Sequence, residues 1–415
     1  MKEVTISLDK KGDFILYAFA KAYFCTNTST LLKTPIAITG ISSISPLGAT
    51  SGEQWEAYLQ KPTFLTWDEN LEAYTATLTD RGKDVVDKLR KENTKYERLD
   101  PSVLYALAAG RMAVSQAGWS KGDFGINVGS SRGATQLFEK YYEAFTKRTI
   151  VPTQTSPSTT LGNISSWLAQ DLRSSGPDIS HSITCSTSLH ALLNGVAWIQ
   201  SGMSSKFLVG GSEAALTPFT IAQMRAMKLT PQEETTSPYP SQALNLFKKK
   251  NTMALGEGAG MACLEKGQKD NALAYITGIG YATEVLDHAV SLSDEGICFQ
   301  DSMKMALVGK SFSDVDAIVM HAPGTIKGDT AEMEAVKTIF GDTLPLLTTN
   351  KWKIGHTFGA SGMFSLELAV QMLQEQTFIG VSYLKEPTGP KELKNILINA
   401  VGFGGNAVSV MVSKA

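Results

Sequence analysis

The chain has little that would mark it for a specialised class. Its charges nearly cancel, 38 Lys and Arg against 40 Asp and Glu, for a formal net charge of -2. That leaves no global positive field to draw in nucleic acid or an anionic membrane. Cysteine is scarce, with Cys25, Cys185, Cys263 and Cys298 far apart and no Cys-x-x-Cys pair. This pattern excludes a zinc ribbon or a disulfide framework and fits a reducing cytoplasm. Long apolar runs are missing. The stretch Phe14 to Phe24 is broken by Lys21 and is too short to cross a bilayer. It also lacks the basic start and cleavage site of a secretory signal. A nucleotide fingerprint is absent too, because neither Gly256–Gly260 nor Gly402–Gly405 joins a strand to a phosphate-facing helix at dinucleotide spacing.

What is present is ordinary globular material, 43% apolar and 19% charged. At 415 residues the chain exceeds the size at which one compact core stops growing, so two halves are expected. Strand-like and helix-like segments alternate. Pro35 to Gly40 reads as a strand ending in a glycine turn, Glu53 to Gln60 as a helix, residues 101–117 as a helix and Ile126 to Gly129 as a strand. Leu189, Leu192, Leu193, Val196 and Ile199 fall at helical spacing, Gly202 is placed to end that helix, and Phe207 to Gly211 follows as a strand. Thr230 to Asn251 reads as a long surface excursion in which Lys248 to Lys250 form a solvated loop. Past it the alternation resumes: a strand at 274–280, a helix at 300–308, a strand at 317–320, and helices at 331–340 and 365–373. Such order predicts an α/β fold with helices covering a largely parallel sheet.

Three residues stand where chemistry is possible. Cys185 lies at the expected start of a helix, where free N–H groups and the helix dipole would stabilise a thiolate and an oxyanion. His321 and His356 each follow a strand-like run and precede a glycine-rich turn, the strand-end position at which α/β sites form. Taken singly, the cysteine also reads as a small buried residue and each histidine as a structural one. Lys351 and Glu332 form a candidate buried pair that tunes the histidines. His181, His190 and His288 lack the strand-end setting and read as structural or surface residues.

The motifs fit together in one family. Ile-Thr-Gly-Ile-Ser-Ser-Ile-Ser-Pro-Leu-Gly (38–48), Thr-Cys-Ser-Thr-Ser-Leu-His (184–190), Gly-Gly-Ser-Glu-Ala (210–214) and Gly-Glu-Gly-Ala-Gly (256–260) are followed by three more. These are His-Ala-Pro-Gly-Thr-Ile-Lys-Gly-Asp-Thr-Ala-Glu (321–332), Asn-Lys-Trp-Lys-Ile-Gly-His (350–356) and Gly-Phe-Gly-Gly-Asn (402–406). In order and spacing the chain resembles the elongating β-ketoacyl-acyl-carrier-protein synthases of the thiolase-like superfamily, from about Pro35 to Ser413. The resemblance implies two similar halves, each with a mixed, mostly parallel sheet, layered α-β-α-β-α. Residues 1–33 would be an N-terminal extension, 34–270 the half with the nucleophile, and 271–415 the half with both histidines.

It also implies roles. Cys185 would carry the acyl group, His321 and His356 would donate hydrogen bonds to the malonyl thioester, and Lys351 and Glu332 would support them. Backbone N–H groups of Cys185 and Phe403 would form an oxyanion hole, with Phe403 as a gate and Thr325 on the pantetheine arm. No metal or dissociable cofactor is implied, since substrates arrive on the phosphopantetheine of an acyl carrier protein. The protein would be a cytoplasmic homodimer, or a heterodimer with a related ketosynthase. Two departures stand out: Pro323 replaces a threonine of the family motif, and Arg132 falls near the far end of the expected acyl pocket. Arg132 implies either a shortened or polar pocket or an interface salt bridge. The rival reading is a non-catalytic chain-length partner, against which Cys185 counts; a degradative thiolase would need a late cysteine, and none follows Cys298.

Overall fold

A computed structural model describes residues 32–60, 62–120, 122–161, 163–231, 233–286, 292–385 and 392–415. Cys25, His288, the 14–24 stretch and nearly all of the expected N-terminal extension lie outside them.

Thirteen strands are described: β1 Ile36–Ile44, β2 Thr66–Asp68, β3 Ala73–Ala76, β4 Gly125–Gly129, β5 Asp178–Ile179, β6 Lys206–Glu213, β7 Leu255–Gly256, β8 Gly258–Lys266, β9 Ala274–Thr283, β10 Ala317–Val319, β11 Leu346–Thr348, β12 Asn395–Gly402 and β13 Asn406–Lys414. They form two five-stranded sheets, ordered β1-β8-β6-β4-β5 and β9-β13-β12-β10-β11, beside a small β2-β3-β7 sheet. Read in those orders, each large sheet has two antiparallel pairings followed by two parallel ones. The halves therefore share one topology. Each sheet is mixed as expected, with the parallel share at half. In the second sheet β12 turns straight back into β13 through Phe403–Gly405, and so tight a connection permits only antiparallel pairing.

Helices complete the layers. Thr187–Ser201 and Ser361–Glu375 touch each other and both sheets, and form the central layer. Pro101–Gln116 covers the outer face of the first sheet, and Ile297–Ala306 that of the second. The layering is α-β-α-β-α. Alternation along the strands produces it: Phe207 and Val209 of β6 point into the central core, while Leu208 points to the outer one. Likewise Ile396 and Ile398 of β12 face inward and Leu397 outward. Strands buried on both faces read as unbroken apolar runs, which is why the sequence showed them as such.

Two segments differ from the sequence reading. β1 continues through Gly40 to Ile44 with a register shift against β8 between Ile38 and Gly40; a Cβ at Gly40 would sit 2.3 Å from the Ala113 carbonyl oxygen, so this glycine serves close helix-to-sheet packing and not a turn. The 230–251 excursion is irregular, but its middle is inside, with Ser241, Ala243 and Leu244 buried. The Lys248 side chain is enclosed as well, though its backbone is not. It forms an ion pair with Asp329 at 2.7 Å, because Asp329 is fully enclosed and needs a counter-charge.

Candidate active site

Cys185 sits in the turn between β5 and the central helix Thr187–Ser201. The turn is tight and strained: Thr184 has φ 45°, a left-handed value unusual for a branched residue. Hydrogen bonds hold it there, with the Thr187 hydroxyl donating to the Thr184 carbonyl at 2.6 Å and the Ser131 hydroxyl donating to the same oxygen at 2.6 Å. The N–H groups of Ser186 and Thr187 are spent inside the turn, on the carbonyls of Ile183 and Thr184. The thiol is accordingly not poised as a thiolate. Burial pushes its pKa up to about 12, Glu213 pushes the same way, and Lys351 and Arg132 pull against them. This corrects the expectation of a stabilised thiolate, because desolvation outweighs the few donors left at the helix start.

His356 occupies the equivalent place in the second half, between β11 and the central helix Ser361–Glu375. Its backbone is pinned to β7, donating to the Ala254 carbonyl at 2.7 Å and accepting from Gly256 N–H at 3.1 Å. On the ring, Nδ1 accepts the Phe358 N–H at 3.2 Å and pairs with the Ser361 hydroxyl at 2.8 Å. An Nδ1 that accepts carries no proton, so the neutral ring has its N–H on Nε2. Phe358 stacks on the imidazole, 5.6 Å between centroids, and is itself strained at φ 44°.

His321 follows β10, and its ring meets His356 edge-on at 5.3 Å. The next residue, Ala322, has φ 26°. Thus three of the nine non-glycine residues with positive φ among the described residues, Thr184, Ala322 and Phe358, adjoin the three candidate catalytic side chains. Two acids of the helix Ile326–Phe340 clamp the His321 turn: Glu332 accepts the N–H groups of His321 and Ala322 at 2.9 and 2.8 Å, and Asp329 accepts that of Gly324 at 2.9 Å. Burial holds both histidines well below the usual imidazole pKa, and Lys351 adds to the shift, so both are neutral near pH 7. Burial raises Glu332 and lowers Lys351, while each of the pair favours the other's charged form.

One cavity of about 240 Å³ gathers these groups: Cys185, His321, His356, Thr325 and Phe403 line it, with Pro323, Phe358, Met224 and Met253 among the remaining wall. Gly402 lets Phe403 come this close, since a Cβ there would lie 2.2 Å from Thr184 Oγ1. The Thr325 hydroxyl caps its helix, accepting from Gly328 N–H at 3.2 Å. Lys351 and Glu332 are buried and do not line the cavity. Arg132 does not line it either. Its guanidinium lies over the Phe358 ring at 5.3 Å and donates to the Gln223 side chain. His181 is held by Asn127 and Thr187, and His190 by the Ser186 carbonyl.

One residue that sequence reasoning passed over is central. Glu213, at the end of β6, is fully buried and accepts from the Ser130 hydroxyl and from the N–H groups of Ser131, Arg132 and Gly359. It ties the loop over the Cys185 turn to the loop after His356. The signal was an acid inside an apolar strand, Phe207 to Glu213, where a carboxylate needs a reason to be.

Comparison with known proteins agrees with this geometry. The family model described as β-ketoacyl synthase, N-terminal domain, matches residues 33–270, and the C-terminal domain model matches 267–382. The chain is 25% identical over 422 residues to 3-oxoacyl-[acyl-carrier-protein] synthase 2 of Vibrio cholerae, covering 92% of this chain and 99% of that one. It is 26% identical over 376 residues to nodulation protein E of Rhizobium leguminosarum bv. trifolii, covering 85% and 89%. In fold it is similar to a ketosynthase solved with a type II polyketide acyl-carrier protein, with TM-score 0.80, 18% identity, and 92% and 100% coverage. A ketosynthase from Xenorhabdus doucetiae, solved with its chain length factor, superposes with TM-score 0.73 at 20% identity, covering 93% and 100%. With the family models spanning most of its length, the chain belongs to the β-ketoacyl synthase family, condensing enzymes of the thiolase-like superfamily.

Proposed function

We propose that the protein condenses an acyl thioester with malonyl-carrier protein by decarboxylation, serving fatty acid or polyketide synthesis. The observation that carries the reading is the meeting, in one enclosed cavity, of a thiol and two imidazoles kept neutral by burial. The half at 34–270 supplies the thiol and the half at 271–415 both imidazoles.

In the first step the Cys185 sulfur attacks the acyl carbonyl. A carbon–sulfur bond forms to Cys185, the bond to the carrier sulfur breaks, and the carrier leaves as the thiol, taking the proton that Cys185 gives up. Because burial disfavours a standing thiolate, proton loss accompanies attack. The accepting nitrogen of His356, Nδ1, is taken by the Phe358 N–H and the Ser361 hydroxyl, so we assign the transient holding of that proton to His321, which lines the same cavity as Cys185. In the second step the malonyl carboxylate leaves as carbon dioxide and its electron pair moves into a thioester enolate. His356 Nε2–H and a neutral His321 donate to the enolate oxygen, where charge develops in a water-poor site. The enolate carbon then bonds to the acyl carbonyl carbon as its bond to the Cys185 sulfur breaks; the sulfur leaves as a thiolate and takes up one proton from solvent, which restores the thiol. The N–H groups of Cys185 and Phe403 are the proposed donors to that second oxyanion, and Phe403, half exposed over the cavity, is the proposed gate.

The acyl chain is assigned to the apolar cluster around Cys185, formed with Ile221, Met224, Met253 and Phe358. Arg132 packs on Phe358, the cavity-wall ring of that cluster, and we assign it to shaping the pocket and not to binding the chain. Free, buried Cys185, Cys263 and Cys298 support a reducing, cytoplasmic setting. The acyl carrier protein is the proposed delivery partner, and a dimer with itself or with a related ketosynthase the proposed assembly. The test mixes purified protein with malonyl-carrier and acyl-carriers from C4 to C18, following carbon dioxide release and intact mass. The expected result is an acyl adduct lost in Cys185→Ala. No adduct, with wild type and variant alike, would remove the enzyme reading and favour a non-catalytic partner role.

A further inference from the structure

Lys353 lies between Lys351 and His356 in sequence, yet it does not line the cavity and takes no part in the chemistry above. It is 0% exposed. Its ammonium donates to the main-chain carbonyls of Tyr58, at 3.3 Å, and Gln60, where the helix Ser51–Leu59 ends. No carboxylate pairs with it among the described residues; the rings of Trp352 and Phe64 lie 4.9 and 5.9 Å away. A cation enclosed by carbonyls and aromatic faces is costly to bury, and a methionine would fill the same space without that cost. The two carbonyls sit at a helix C-terminus, the end that favours positive charge.

The segment it belongs to cannot hold itself in place. Lys351–Ile354 is a helix of four residues, too short to be stable alone. Its position is set from outside. The Lys353 carbonyl accepts the Phe64 N–H at 2.8 Å, and the Thr63 hydroxyl reaches the carbonyls of Trp352 and Lys353 at 2.9 and 3.2 Å. Tyr58, Gln60, Thr63 and Phe64 thus grip Lys353 at both its side chain and its main chain. At the far end Gly355, with φ 72°, packs so closely on Leu255 that a Cβ would lie 2.7 Å from its carbonyl carbon. Lys351 and His356 flank this doubly anchored stretch, one on each side.

We propose that Lys353 is a positioning residue for the condensation step, fixing the segment that presents Lys351 and His356; this rests on the function proposed above. Cys185 stands on a separate turn braced by Thr187 and Ser131 and feels this segment only through the charge of Lys351, so the acylation step depends on Lys353 far less than condensation does. The experiment compares wild type, Lys353→Met and Cys185→Ala, reading acylation by intact mass and condensation by carbon dioxide release. Expected for Lys353→Met is acylation within about twofold of wild type, and condensation lower by roughly 10- to 100-fold in kcat with little change in the KM for malonyl-carrier, the scale of loss from a small misplacement. Both steps unchanged, or both falling in proportion to the folded fraction, would overturn it. If Lys353→Met folds poorly, Thr63→Val, which removes the hydroxyl on the same segment, makes the same comparison and is expected to show the same split. Failure of wild type to acylate at all would instead overturn the underlying function.

Discussion

The turns before the two central helices occupy equivalent places in one repeated topology and hold different chemistry. In the first half the turn ends in Cys185, whose neighbours spend their donors on the turn itself and leave the sulfur a buried thiol. In the second half the turn holds His356, whose Nδ1 is met by a backbone N–H and a hydroxyl, leaving Nε2–H to act. A shared scaffold thus supplies two aligned positions that differ in local hydrogen bonding, and the proposed mechanism uses the first as nucleophile and the second as donor. Glu213 couples them, since it holds the loops at 130–132 and at Gly359 with one carboxylate.

The largest break in this comparison comes from removing either side chain. Cys185→Ala is expected to lose the acyl adduct and at least roughly 10³-fold in turnover, as nucleophile removal does elsewhere. His356→Ala is expected to keep the adduct, as read by intact mass, and to lose roughly 10²- to 10³-fold in carbon dioxide release, the usual loss for one oxyanion donor. Loss of acylation in His356→Ala would erase the division of labour between the turns. Next comes the link between them: Glu213→Leu leaves three N–H groups and a hydroxyl without their acceptor and is expected to cost about 3 kcal/mol in denaturant unfolding while slowing both steps. An effect on one step alone would show the turns to be independent. Smaller again is Ser361→Ala, which removes one of two Nδ1 partners and is expected to slow condensation by about 3- to 10-fold with acylation unchanged.

The remaining effects are in pH. His321 and His356 stay neutral in the fold, so below about pH 6.5 only the unfolded chain takes up their protons, and stability falls as pH falls, by up to about 1.4 kcal/mol per pH unit for each. Cys185 acts at the other end. The unfolded thiol ionises near 9 and the folded one near 12, so stability falls as pH rises above 9. Melting curves against pH are expected to flatten on the acid side for His356→Asn and on the alkaline side for Cys185→Ala. Unchanged acid limbs in His356→Asn would show that burial does not hold the ring neutral.

Much of this was legible in the chain. Runs such as Phe207 to Gly211 and the helical spacing from Leu189 to Ile199 carry their own periodicity, and the family resemblance carried by the motifs, not any one of them alone, singled out Cys185, His321 and His356. What escaped was whatever depends on neighbours distant in sequence. Gly40 reads as a turn until Ala113 is seen against it, and Lys248 reads as a solvated loop until Asp329 closes on it. The roles of Glu213 and Lys353 rest on partners distant in sequence, 82 and 146 residues away for Glu213 and 293 and 295 for Lys353.

The sequence by itself determined the element types, the α/β class and the reactive residue types, because periodicity, turn chemistry and side-chain identity are local. Tertiary structure alone decided the burial of these groups and the shifts that it imposes on them. Those depend on how far water is excluded and on which donors reach Nδ1 of His356 or the sulfur of Cys185. Such quantities arise only when two sheets and two central helices close on one another.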